Sequence, residues 1–205
     1  MRLRKAILAT IPLFLIGLAI AGCDASTENS GRIIVRMTDA PLEQVTAINV
    51  TVVSCEIINS ATEERETIVS SDEAKMFNLL ALADGISLDV CDQEVQLKVF
   101  DQLRVVIGDE ASITTGMDAA PVTTDLHVAS GSSSGLKFFF DEAVDVSGGE
   151  TLDVLLDFVA DESVVTTGPP SAPTGYVMTP VIRAVSAELG GAALSISDEE
   201  EVVVE

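Results

Sequence analysis

Beyond residue 30, apolar side chains recur at every second position, the period of a strand with one buried face. Ile33, Val35 and Met37 alternate with Arg32, Ile34 and Arg36. Thr38-Asp39-Ala40-Pro41 closes that strand, because proline cannot donate to a central ladder. Residues 45–58 are long and β-branched. Ile48, Val50 and Val52 fall on one face and Val53, Cys55 and Ile57 on the other, so the spacing predicts a bulge or a crossing between sheets near Val53. Val95, Leu97, Val99, Leu103, Val105 and Ile107 share a period of two, with Gln96, Lys98, Gln102 and Arg104 opposite. Asp101 interrupts that apolar face and marks a second candidate bulge. Leu152, Val154, Leu156 and Phe158 repeat the pattern with Asp153 and Asp157 outward, and residues 136–140 and 176–185 are further strands.

Turn signals separate these runs at Gly108-Asp109, residues 131–135, Ser147-Gly148-Gly149 and residues 168–175. Residues 59–72 read as a polar hairpin or loop. Residues 74–83, with Lys75-Met76-Phe77-Asn78-Leu79-Leu80 ahead of Asp84-Gly85, read as a short helix, an irregular buried segment being the alternative. Residues 197–205 hold an acidic run and a short valine stretch, a last strand or a frayed tail. Many strands with regular turns define an all-β fold, an antiparallel β-sandwich (immunoglobulin-like or related) with at most one short helix.

The amino terminus departs from this pattern. Arg2, Arg4 and Lys5 precede the uncharged residues 6–21, a run too short to span a bilayer core of about 20 apolar residues. It fits the apolar region of a signal peptide. Ile20-Ala21-Gly22-Cys23 resembles a lipobox, in which small residues admit the peptidase and the Cys23 thiol forms a thioether to diacylglycerol. The competing reading is an uncleaved anchor with a chance cysteine. Two or three acyl chains, palmitate among them, anchor stably where one chain is marginal. The chain then divides into a signal peptide (1–22), a lipidated polar tether (23–30), a β-sandwich domain (31–190) and an acidic carboxy-terminal segment (191–205). The expected location is the cell envelope, lipid-anchored and facing the periplasm or the exterior. Asp24 resembles an inner-membrane retention signal whose meaning depends on the host, so the choice of membrane stays open.

Charge and cysteines narrow the function. The net charge is -22, and residues 1–22 carry three basic and no acidic side chains, so the remainder sums to -25. Such a body repels nucleic acid and anionic headgroups, which excludes a nucleic-acid partner. With Cys23 assigned to lipid, Cys55 and Cys91 remain of the three cysteines. In an oxidising compartment they read as a disulfide, two buried free thiols being the alternative. No CxxC spacing suggests zinc or redox chemistry.

Gly131-Ser132-Ser133-Ser134-Gly135 matches the GxSxG pattern, but a nucleophile elbow leads from strand into helix. Here the segment feeds a strand. His127, the single histidine, precedes Ser133, whereas the hydrolase order places histidine last. No catalytic residue is assigned, and one histidine excludes an HExxH site. Asp157, Asp161 and Glu162, with Asp39 as a further donor, form a speculative calcium set, weighed against solvated surface charge. The absence of tryptophan and the single tyrosine weaken glycosidase and carbohydrate-binding readings. The expectation is a non-enzymatic envelope protein without cofactor, which binds an unidentified envelope protein or ligand or scaffolds an assembly. A calcium-dependent binding or adhesion module is the alternative, and a hydrolase comes third.

Several segments, taken in order, resemble one family. They are Thr38-Asp39-Ala40-Pro41 after the opening strand, Phe77-Asn78-Leu79-Leu80, Phe100-Asp101-Gln102-Leu103-Arg104-Val105, and Ser130-Gly131 with Ser134-Gly135-Leu136-Lys137. Leu156-Asp157-Phe158 with Glu162-Ser163-Val164, and Pro180-Val181-Ile182-Arg183, complete the set. Together they resemble the domain of unknown function 4382, found in bacterial and archaeal surface lipoproteins. The resemblance implies a β-sandwich on a lipid anchor and brings no activity. Phe100 stands where that family often has tyrosine.

Overall fold

The computed structural model describes residues 30–39, 45–70, 72, 74, 76–116, 121–129, 135–169 and 174–198. Its strands, in chain order, are β1 (Gly31–Asp39), β2 (Val45–Val50), β3 (Val52–Asn59), β4 (Glu64–Val69), β5 (Phe77–Asn78), β6 (Leu88–Val95), β7 (Val99–Ile107) and β8 (Ser112–Thr115). They continue with β9 (Val122–Val128), β10 (Leu136–Asp145), β11 (Thr151–Phe158), β12 (Val164–Thr167), β13 (Gly175–Met178), β14 (Ile182–Leu189), β15 (Ala192–Leu194) and β16 (Ile196–Asp198). One helical turn, α1 (Ala160–Ser163), follows β11.

Three sheets result. The first has the order β15-β14-β11-β1-β6 and the second β16-β10-β7-β3-β4. Their inward rows meet in a common core: Ile33, Val35 and Met37 from β1, and Leu152, Val154, Leu156 and Phe158 from β11, face Ile57, Leu103, Val105 and Phe138. All of these are at most 1% exposed. β1 and β11 alternate buried and less buried residues along their length, as the sequence pattern requires. The third sheet has the order β12-β13-β9-β8-β2-β5. It continues from the second: β2 leads into β3 at Thr51, and β7 leads into β8 at Gly108, whose N–H donates to the Thr51 carbonyl at 2.8 Å.

The two long sides of the sandwich are latched. On one side Ser70, next to β4, bridges to Cys91 on β6, and Cys91 is disulfide-bonded to Cys55 on β3. The Cα atoms of that pair lie 6.3 Å apart, within the usual range for a disulfide. On the other side the chain passes from β15 in the first sheet to β16 in the second, and the Ala184 N–H donates to Asp198 Oδ1 at 2.7 Å.

Bulges explain the residues that break the period. Val52 pairs with Ile107 and Ser54 with Val106, leaving Val53 between them and 51% exposed. The switch of face expected near Val53 is therefore both a sheet crossing at Thr51 and a bulge. Val185 is set out in the same way between Ala184 and Ser186, and is 55% exposed. On β6, Val35 pairs with Cys91 and Arg36 with Asp89, so Val90 is the extra residue. That insertion lets Val90 and Cys91 both point inward while Asp89 points out toward Arg36.

Several expectations change. Among its described residues the segment 74–83 follows the irregular alternative: Phe77–Asn78 is strand β5, and Leu79–Leu82 is one 3-10 turn capped by the Asn78 side chain accepting from the Leu80 N–H. Asn78 also accepts from the Ile48 N–H at 3.0 Å, so tertiary pairing with β2 overrides local propensity. The first and third sheets are mixed, because β1 runs parallel to β11 and β9 parallel to β13, while the second is antiparallel throughout. On β7, Val99 is exposed and Phe100 is fully buried. The ladder slips opposite Asp101, where β10 inserts residues 140–143 between Phe139 and Val144. Past residue 190, β15 pairs with β14 and β16 with β10.

Candidate functional site

The acidic set expected to bind calcium gathers where β11 ends and α1 begins. Asp157 sits outward on β11 and pairs in register with Arg183 on β14. Asp161 and Glu162 are exposed in the first turn of α1. Glu162 receives both of its short contacts from Arg183 Nη2, at 2.6 and 2.8 Å. Asp39 is buried and its Oδ1 accepts from the Ala160 N–H at 3.4 Å. The fold thus brings the four carboxylates to one corner, but Glu162 is engaged by a guanidinium and Asp39 by a backbone amide. Among the described residues no three His, Cys, Asp or Glu side chains converge as a metal site.

Burial pushes the Asp157 carboxyl above its ordinary value; Arg183 opposes this and Asp161 adds to it. A carboxyl with a raised folded value holds its proton more tightly in the fold than in the unfolded chain. Its ionisation then costs stability as pH rises through the ordinary aspartate range, and the cost is complete above the raised value. Asp157→Asn is expected to raise the melting midpoint modestly at pH 7 and to leave it unchanged well below the ordinary aspartate pKa. Melts at the two pH values check this, and a lower midpoint at pH 7 would show that the attraction to Arg183 outweighs burial.

The outward face of the first sheet is stitched by ion pairs. Arg32 clasps Asp92 through Nε and Nη2 at 2.7 and 2.6 Å, and Arg36 contacts Asp89 at 3.0 Å and Asp153 at 2.8 Å. The register dictates these partners, since β1 lies between β6 and β11. The Arg32 guanidinium holds the Asp92 carboxyl below the usual range. Each pair is substantially exposed and contributes little to stability, because solvent screens the attraction. Arg104 and Glu56, 3.1 Å apart, form a more sheltered pair on the second sheet.

An open cleft of about 580 Å³ lies on the third sheet. Its lining includes Met76, Asp109, Glu110, Asp125, Leu126 and His127. Asp109 and Glu110 come from the β7–β8 connection, Asp125 and His127 from alternate positions of β9, so both β9 side chains share the outward face. Ser112 is in the lining too, with its Oγ accepting from the Asn49 side chain at 3.1 Å. The cleft is negative and suits cationic groups rather than anions. Sequence reading placed His127 on a strand, as found, but missed this cleft: its acids come from a turn and a strand that form no motif.

Ser133 and the rest of 130–134 lie outside the described residues, as do Cys23 and everything before residue 30. The segments flanking 130–134 are strands, β9 before and β10 after, and not the strand and helix of a nucleophile elbow.

Fold and surface define a disulfide-stapled β-sandwich with a third sheet that continues from the end of its second sheet. Residues 30–180 match the family model described as Domain of unknown function (DUF4382), and the chain belongs to that family. No curated protein and no solved structure matches the chain.

Proposed function

We propose that this chain is a non-enzymatic, lipid-anchored envelope protein, held by acyl groups on Cys23 and facing the periplasm or the exterior, which binds a protein or ligand or scaffolds an assembly. The observation that carries the reading is Ile20-Ala21-Gly22-Cys23 behind a basic start and an uncharged run, with the first strand only eight residues further on. The disulfide supports it, because such bonds persist in exported proteins. That strands flank residues 130–134 on both sides, β9 and β10, supports the non-enzymatic reading over a nucleophile elbow.

The test is Cys23→Ser in the native host. Wild type is expected to take up radiolabelled palmitate and to sediment with membranes, and the variant to lose both. Label or membrane association that survives the substitution overturns the reading.

A further inference from the structure

We propose that the domain stands on its anchor with the pole at the start of β1 toward the bilayer and the third sheet at the opposite pole, farthest from it. This rests on the lipid-anchored reading. The eight residues from Cys23 to Gly31 reach at most about 28 Å when extended. Gly31 marks one pole. It pairs with Val95, the last residue of β6, and a Cβ built on it would collide with the Val146 carbonyl oxygen. Around it close the neighbouring turns: the Arg32 N–H donates to the Glu150 carbonyl at 3.0 Å, the Gly190 N–H to Thr151 at 3.1 Å, and the Val146 N–H to Lys98 at 2.9 Å. The Asn59 side chain donates to the Val99 carbonyl at 3.1 Å, which brings the β3–β4 turn to the same pole.

The strand directions set the other pole. β1 climbs nine residues away from Gly31, about 30 Å. β3 descends toward the anchor pole and ends at Asn59; β7 climbs from Val99 to Ile107. The third sheet joins the upper ends of both, through β2 and β8, and so lies at the far end from the tether. Charge sets how closely the anchor pole approaches the bilayer. Glu63, Glu64, Glu94, Asp145 and Glu150 are exposed around the anchor pole, and Arg65 and Lys98 offset two of the five. Anionic headgroups repel this end within a screening length of about 8 Å at physiological salt.

The experiment uses the full lipidated chain in vesicles. With Cys23 acylated and Cys55 bonded to Cys91, an introduced cysteine is the free thiol that takes a donor dye. Ala61→Cys places it on the exposed β3–β4 turn, and Val165→Cys on exposed β12 of the third sheet. Energy transfer to acceptor-labelled headgroups in phosphatidylcholine vesicles is expected to be higher from position 61 than from 165. Adding phosphatidylglycerol at low salt is expected to lower the transfer from position 61, and added salt to restore it. Equal or reversed transfer in vesicle-bound protein overturns the orientation while leaving the anchor standing. Protein that lacks acyl mass on residue 23 and stays off the vesicles overturns the anchor, and the orientation with it.

Discussion

Replacing Cys55 and Cys91 together by alanine is expected to destabilise the domain by about 4 kcal/mol, the chain-entropy value for a 36-residue separation. For a domain of this size that corresponds to a fall of roughly 10 °C in melting midpoint. Both cysteines are fully buried and sit in different sheets, Cys55 on β3 and Cys91 on β6. Their loss removes the crosslink that restricts the unfolded chain, which then gains conformational entropy, and also removes two sulfurs from the core. Denaturant titration of wild type and double variant checks the figure. A change below about 1 kcal/mol would mean that the Ser70–Cys91 bridge and the packing of β4 against β6 hold that side unaided, or that the reduced unfolded chain keeps residual structure.

The second large effect is expected at Phe100. Its ring is fully buried and meets that of Phe140 edge-on, with centroids 5.9 Å apart and planes at 73°. Phe100→Ala is expected to cost about 3–5 kcal/mol, the lost transfer energy plus the cavity left behind. Comparison with Phe140→Ala and the double variant isolates the ring–ring contribution, expected at about 0.5–1.5 kcal/mol. A coupling of zero would reduce the pair to two independent buried surfaces. Against a total stability on the order of 5–15 kcal/mol, either this change or loss of the disulfide consumes a large share.

The fate of Phe100 also shows what the sequence could reveal. Where alternation is uninterrupted, as along Ile33-Val35-Met37 and Leu152-Val154-Leu156-Phe158, the buried face was legible, because burial and period are the same signal. The cysteine pair was legible from chemistry, and the crossing near Val53 from a change of phase. Val99 was assigned to the buried row, and Phe100 to neither, because the ladder slips on β10, some forty residues away, and nothing near Phe100 records it. Strand β6 was missed up to Val95 because Asp89, Asp92 and Glu94 read as a polar stretch; the arginines that face Asp89 and Asp92 lie on β1. The helix expected over 74–83 gave way to β5 because β2 competes for the same backbone. The parallel pairing of Arg32 with Thr151 spans most of the chain and leaves no local trace. The cleft on the third sheet was hidden for a related reason: Met76, the β7–β8 connection and β9 meet only once the third sheet has paired.

That distant pairing has a consequence for the order in which the chain can assemble. A polypeptide released from its amino-terminal end presents both cysteines once residue 91 is free, so the staple between the first two sheets can close early. β11 arrives only with residues 151–158. In the interval one long side of β1, residues 32–39, carries open backbone donors and acceptors beside an apolar row, the kind of edge that templates pairing between chains. An early crosslink shortens what remains to be found: β6 already lies along the other side of β1, and the arriving strand meets a fixed slot rather than a free ribbon.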